Sequence, residues 1–429
     1  MAGQIGFTPP DLPARAGGAV RRRLVFYLPG YDPEAKKRYR ALFVRELSRY
    51  GRRFDLPRRR VTPARTSPDG LVQSWTVEAG RDAGQDAGQD SWETHTTYEV
   101  LLWDDLVRRD FRRPLPLSML LLTLGILHGI VTGKLFRLYG LNWKYGNVIL
   151  YPFVMTLLLV ALGLGAGLGL GAGLGRAAGS LPGWVSAGLG LAGGLGAVIA
   201  ATPLLDRIFL RQLINDWVFN WQHSNGWRPD YEARLASFAD HVAGRLAASE
   251  ADEVMFVGHS SGALTAVELT ARVLARRPER ELSLLTLGAG LPLVAINPRA
   301  VRVRAEIAAL VASERVVWAD YQAPQDWMNF PGFNPARDLA LPPGARIANP
   351  LIRSAKFREL IDPAVYPRIS SRPFRMHFQF LMSNDLPGEY DYFALTLGPQ
   401  RLRDRVLAPQ IVPPRADAPA EPVSAHREI

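Results

Sequence analysis

A serine, a histidine and a carboxylate in the right order can open an acyl bond, and this chain holds one such set. The segment Val254-Met255-Phe256-Val257-Gly258-His259-Ser260-Ser261-Gly262 runs from an apolar stretch rich in β-formers into Gly-x-Ser-x-Gly. A helix-compatible stretch, residues 263–276, follows at once. Strand, tight turn and helix in that order push a serine onto a sharp elbow, with its hydroxyl exposed above a sheet. Ser260 is therefore the candidate nucleophile, and Gly258 and Gly262 are the elbow glycines that permit close backbone approach. The backbone N–H of Ser261 would point at a developing oxyanion. The competing reading is an ordinary strand-to-helix turn that carries a serine.

A serine hydroxyl is a weak nucleophile until a base takes its proton. Of the seven histidines, only His377 and His426 follow Ser260. His426 lies in the tail, and His259 sits inside the elbow with its side chain expected to point away from the serine. Elimination leaves His377, within Arg375-Met376-His377-Phe378-Gln379-Phe380, as the base, expected within hydrogen-bond reach of Ser260. The alternative is a histidine packed among aromatic neighbours. The orienting acid belongs in a loop after a strand lying between serine and histidine. Asp326 fits, after a strand at 316–321 and a turn at 322–326, with Asp320 at the strand end as the alternative acid. Asp338 and Asp362 read as surface or cap residues. The acid would accept the His377 ring N–H and stabilise the imidazolium formed during attack. A second oxyanion donor is expected in the loop after an early strand. Leu28-Pro29-Gly30-Tyr31-Asp32 fits, with the Tyr31 N–H as donor and Asp32 as a helix cap, against the simpler reading of a plain turn.

These residues need a scaffold. Strands are predicted at 24–28, 71–77, 94–103, 254–258, 282–287 and 315–321, and helices at 34–50, 228–249, 263–276, 300–313 and 352–360. Strands alternating with helices predict an α/β fold, a mostly parallel sheet covered on both faces. The polar repeat at 82–90 reads as a solvated loop.

Interrupting this pattern are three stretches without formal charge, at 114–133, 145–175 and 177–205. Each reaches or nears the roughly 20 apolar residues that cross a bilayer. Because both flanks are expected to build one catalytic domain, the number of crossings must be even. The expectation is a transmembrane hairpin at about 148–175 and 183–205, preceded by an interfacial helix at about 114–133, which carries two prolines and His128. Gly163, Gly167, Gly171 and Gly175 recur every fourth residue, as do Gly165, Gly169 and Gly173. That spacing allows close helix packing, with Gly190 and Gly194 as the matching surface; a flexible glycine linker is the alternative. Lys134, Arg137 and Lys144 precede the hairpin and Arg207 and Arg211 follow it, with only Arg176 in its turn. Positive charge favours the cytoplasmic side. The expected location is a bacterial inner membrane with the catalytic part in the cytoplasm.

The predicted organisation is a disordered N-terminal tail (1–22), a first catalytic part (23–112), a membrane insertion (113–211), a second catalytic part with the elbow (212–405) and a disordered tail (406–429). The N-terminus has no apolar core of a cleavable signal peptide. The absence of cysteine excludes disulfides, cysteine-based metal sites and a cysteine nucleophile. A formal charge of +11 beside apolar spans favours anionic lipid over nucleic acid, which is not an expected partner. No Walker, His-Glu-x-x-His or dinucleotide pattern is present, so no cofactor and no metal are expected.

The Gly258-His259-Ser260-Ser261-Gly262 elbow and the order Ser260, Asp326, His377 resemble the α/β-hydrolase superfamily, lipases and esterases in particular. More loosely, the chain is similar to uncharacterised bacterial hydrolases with a transmembrane insertion before the elbow. The resemblance covers about 24–103 and 228–399. It implies a Ser-His-Asp triad working through an acyl-enzyme with water as acceptor. Two departures are visible: Leu28-Pro29-Gly30-Tyr31 stands where a His-Gly-Gly-Gly run is usual, and the hairpin occupies a region where soluble relatives carry a helix or lid. The expected activity is hydrolysis of a carboxylic ester of a lipid or other acyl compound at a lipid bilayer. Thioesterase, peptidase, acyltransferase or a non-catalytic membrane scaffold are the alternatives. No oligomeric state is legible.

Overall fold

The computed structural model describes residues 18–54, 56, 58–81, 91–178, 182–200, 209–340 and 346–415, with 417, 418 and 422. The chain forms two compact units: one of Met1–Arg108, Gly140–Asn142 and Gln222–Ile429, the other of Arg109–Tyr139 and Trp143–Trp221.

The first unit is α/β, built on a nine-stranded sheet flanked by helices. Its strands are β1 (Arg22–Leu28), β2 (Arg58–Val61), β3 (Arg65–Thr66), β4 (Val72–Arg81), β5 (Trp92–Leu101), β6 (Glu253–His259), β7 (Leu282–Leu287), β8 (Val316–Gln322) and β9 (Leu351–Ser354). Their order is β2-β4-β5-β1-β6-β7-β8-β9, with β3 beside β4. The run from β5 to β9 is parallel, whereas β4 pairs antiparallel with β2, β3 and β5. The sheet is thus mixed, with five parallel pairings and three antiparallel ones, the latter all made by β4. β4 and β5 follow each other closely in the chain, and a short connection suits an antiparallel pair. The repeat at 82–90 lies outside the described residues.

β6, β7 and β8 are buried along their whole length, as expected of near-continuous apolar strands covered on both faces. Helix α1 (Ala35–Arg53) follows β1, with the Asp32 carboxylate accepting from the Glu34 N–H at 2.9 Å near its start. The elbow helix (Ser261–Arg276) packs on β6, β7 and β1 and against the helices Pro229–Ala247 and Val301–Ala312.

Several expectations need correcting. β2 and β3 were not foreseen, because Arg58-Arg59-Arg60 has no apolar alternation. Charge of that kind suits an edge strand, where it discourages further pairing. The helix expected at 352–360 is instead β9 followed by one turn, Phe357–Leu360. The tails expected at 1–22 and 406–429 are ordered where described. Val20 is buried and donates to the Pro399 carbonyl at 2.8 Å, and Pro414 bridges to Phe54. Residues 1–17, 416, 419–421 and 423–429 lie outside the description.

The second unit is helical: α3 (Leu115–Val131), most of α4 (Lys134–Leu141), α5 (Trp143–Ala178), α6 (Gly183–Ala200) and the helix Leu210–Ser224 as far as Trp221. α5 starts earlier than expected and carries Pro152 inside. α5 and α6 pack antiparallel through glycine. A Cβ at Gly167 would run into the Gly190 carbonyl, one at Gly171 into the Ser186 carbonyl, and one at Gly194 into the Gly163 carbonyl. Gly165, Gly169 and Gly173 face nothing within 4 Å, so one of the two glycine series makes the contact.

Among the described residues, one helix is long and apolar enough to cross a membrane: 31 residues of α5, Trp143–Gly173, within which an 18-residue window reaches a mean hydropathy of 2.3. The second expected crossing, at about 183–205, is described only in part, as α6, and its residues 201–205 lie outside the description. α2 (Asp104–Phe111) and α3 qualify only as a pair bent by 104°. The insertion also ends later than residue 211. Ser118 donates to Asn215 at 3.1 Å, the Lys134 ammonium lies 5.6 Å from the Trp217 ring centre, and Gly125 makes room for Trp221.

Candidate active site

β6 delivers the chain to Ser260 at φ 61°, ψ −128°, a conformation rare for any residue but glycine. Neighbouring backbone holds it there. The Ser260 N–H donates to the Leu287 carbonyl at 3.0 Å, and its own carbonyl accepts from Ala263 at 3.0 Å and Gly290 at 3.4 Å. Both elbow glycines are sterically required. A Cβ on Gly258 would lie 2.6 Å from the Ala263 Cα, and one on Gly262 would lie 2.5 Å from the Pro29 carbonyl oxygen. Ser260 itself is half-buried. The turn is the strained strand-to-helix elbow that the motif calls for.

His377 ends the short helix Pro373–His377 and is buried. Its Nδ1 lies 2.7 Å from Oδ2 of Asp326, which is fully buried. The other oxygen of that carboxylate accepts from the Met328 N–H at 2.8 Å. Asn329 braces the loop, donating from its side chain to the carbonyls of Ala323 at 2.8 Å and Asp326 at 3.0 Å. A carboxylate at Nδ1 keeps the proton on that nitrogen and leaves the lone pair on Nε2, the form a general base needs. Nε2 is buried and makes no hydrogen bond, so the expected bond from Ser260 Oγ is not formed in this structure. His377 and Asp326 are together, while Ser260 and His377 are not joined. Such bonds are often loose until substrate tightens them.

Asp320 is elsewhere. It lies on β8, fully buried, and accepts from Thr286 Oγ1 at 2.6 Å and from Gln322 Nε2 at 2.7 Å. Burial pushes its carboxyl up to about 6. The alternation of side chains along a strand separates Asp320 from the loop that meets His377.

The loop after β1 lies directly against the elbow. Gly30 is close enough that an added Cβ would stand 3.6 Å from the Ser260 Cβ. Its N–H donates to the Tyr39 hydroxyl at 3.1 Å, and the Trp103 indole donates to the Pro29 carbonyl at 3.0 Å. Tyr31 is buried with its ring 5.8 Å from that of Trp103. The loop that carries the Tyr31 N–H is thus braced beside Ser260, and Ser261 is the first residue of the elbow helix.

One participant escaped the sequence reading. His259 is buried with its ring centre 4.5 Å from that of His377, and its Nε2 lies 3.0 Å from the His377 carbonyl oxygen. Burial, and then the adjacent His377, hold its imidazole well below the ordinary range. No linear signal separates this histidine from one that points into the core.

A second polar cluster lies on the elbow helix. His223 Nε2 meets Glu268 Oε1 at 2.9 Å, and the Tyr231 hydroxyl donates to Glu268 Oε2 at 3.0 Å. His223, Glu232 and Glu268 are the one group among the described residues whose ligand atoms lie close enough, within 4.8 Å, to share a cation. Arg272 already supplies positive charge there, 2.8 Å from Glu232 and 2.7 Å from Glu306.

Comparison with protein-family models, with curated proteins and with solved structures gives no match in any of the three.

Proposed function

We propose that this chain is a membrane-anchored serine hydrolase of the α/β-hydrolase type that cleaves a carboxylic ester of a lipid or other acyl compound. The observation that carries this reading is the buried 2.7 Å contact between His377 Nδ1 and Asp326 Oδ2, with the strained Ser260 elbow in the same unit. In the mechanism, His377 Nε2 takes the Ser260 hydroxyl proton as Oγ attacks the ester carbonyl. The carbonyl oxygen becomes an oxyanion, met by the backbone N–H groups of Tyr31 and Ser261. Collapse expels the alcohol, which receives the proton from His377. Water, deprotonated by the same nitrogen, then attacks the acyl-enzyme, and His377 returns that proton to Ser260 Oγ as the acid leaves. Asp326 holds the ring and stabilises the imidazolium throughout.

Membrane anchoring rests on α5, whose length and hydropathy suit a crossing. Both flanks of the insertion contribute strands to one sheet, so crossings must pair. α6, packed antiparallel on α5, is the natural second crossing, with the catalytic unit on the cytoplasmic side of a bacterial inner membrane.

One observation favours the non-catalytic scaffold instead, namely the unmade bond at His377 Nε2. Labelling the purified full chain and its Ser260→Ala variant with a fluorophosphonate separates the two. Label in wild type alone is expected. No label, or equal label in both, rejects the hydrolase. Rates on matched esters, thioesters and amides then decide between ester hydrolase, thioesterase and peptidase, and transfer to an added alcohol reports an acyltransferase.

A further inference from the structure

We propose that His259, the residue before the nucleophile, is a positioning residue that fixes the ring and backbone of the base His377; this rests on the serine-hydrolase reading above. The His377 carbonyl can only accept, so the 3.0 Å contact requires His259 to carry its proton on Nε2. Nδ1 of His259 is then a bare lone pair, and it is buried without a hydrogen-bond partner. Protonating it would place a cation with no acceptor beside the imidazolium that His377 becomes in catalysis. Burial prevents this, since the ring is held well below its ordinary range. His259 is therefore a permanently neutral donor.

Shape agrees with this role. The two imidazoles tilt by 37° at 4.5 Å, and Phe378 and Phe380 pack their rings 5.4 and 6.0 Å from His259. Gly288, at φ 55°, leaves room for this stack. A Cβ there would lie 2.6 Å from the Phe380 ring and 3.4 Å from His377 Cε1. His259 is also bonded through one peptide to Ser260. A single residue thus ties the elbow to the base, and any drift of the 373–381 segment strains that tie. Catalytic groups need placement within about 0.5 Å, and an error near 1 Å costs roughly 100-fold.

The test compares His259→Phe, which keeps the ring but loses the donor, with His259→Gln, whose side-chain amide can donate from a similar reach. Both are made in the full chain in detergent. Fluorophosphonate inactivation gives a maximal rate and a half-saturating concentration. The expectation for His259→Phe is a maximal rate lower by about 10- to 100-fold, with half-saturation unchanged. His259→Gln should stay within about threefold of wild type. The His377 Nδ1 proton, assigned by its loss in His377→Ala, supplies an activity-independent readout, and its NMR resonance should shift in His259→Phe and return in His259→Gln. If His259→Phe does not fold, His259→Asn replaces it, with an amide too short to reach the carbonyl.

A wild-type rate together with an unmoved resonance in the donor-less variant overturns the proposal. So does a His259→Gln variant that falls as far as His259→Phe. Wild-type protein that takes no label rejects the hydrolase reading, while the resonance still decides whether His259 orders the ring.

Discussion

Ser260 at φ 61° costs on the order of 1–3 kcal/mol relative to a relaxed residue. Its surroundings over-determine it, since Gly258 and Gly262 let backbone segments approach where any side chain would collide. The two aspartates differ in the same concrete way. Asp326 ends a loop that reaches His377, whereas Asp320 lies inside the strand among donors of its own. Asp326→Asn, which favours the wrong histidine tautomer, is expected to cut the labelling rate by about 10⁴-fold, and Asp320→Asn to leave it within about threefold. Asp320 also has a pH signature. Its folded value, raised from 3.8 to about 6 by burial, means the folded state binds the extra proton between those limits. Its contribution to stability is present below pH about 4 and is lost as pH rises through about 6, by about 3 kcal/mol at most. Urea titrations from pH 4 to 7 should show that slope in wild type and lack it in Asp320→Asn. An identical slope in both would contradict the assignment.

At the scale of elements, glycine does different work in the two units. In the elbow it relieves a turn. Between α5 and α6 it removes side chains so that two backbones meet, which is how membrane helices gain packing without a hydrophobic driving force. The two interleaved glycine series of α5 make this testable. Gly167→Ala places a methyl into the Gly190 carbonyl and is expected to cost about 1–3 kcal/mol through overpacking. Gly169→Ala meets nothing within 4 Å and should be neutral or stabilising by up to about 1 kcal/mol, because alanine is the better helix former. Thermal unfolding in detergent measures both. Equal effects would mean that the contact is not made. Sequence spacing identified the small residues but offered two equivalent series. Choosing between them requires the rotation of one helix against the other, which no linear pattern contains.

For the whole molecule, the discontinuous first unit limits how the insertion could cross a bilayer. β1, β4 and β5 precede the insertion and β6 to β9 follow it, yet they share one sheet. Two halves of one sheet cannot lie on opposite sides of a membrane, so the insertion must return to its starting side. The net charge of +11 leaves a rival explanation, electrostatic attachment to anionic lipid. Washing membranes with high salt and then alkaline carbonate distinguishes them. The full chain should stay in the pellet through both and be released only by detergent. Release by carbonate would remove α5 as a crossing helix, and release by salt alone would favour the electrostatic attachment.

Local chemistry is written plainly in this chain. The elbow, its flanking strand and helix, the buried strands β6 to β8 and the apolar stretch of α5 all follow from neighbouring residues, because turn sterics and hydrophobic runs act over a few positions. The pairing of His377 with Asp326 was also reachable, since serine, acid and histidine must occur in a set order and few candidates existed. Tertiary structure alone decided the rest. It folded the arginine-rich edge into the sheet, sent Asp320 into its own polar network, ordered the segment around Pro414, and turned His259 onto His377. Those outcomes depend on contacts between residues tens to hundreds of positions apart, where burial and shape, not local propensity, select the partner.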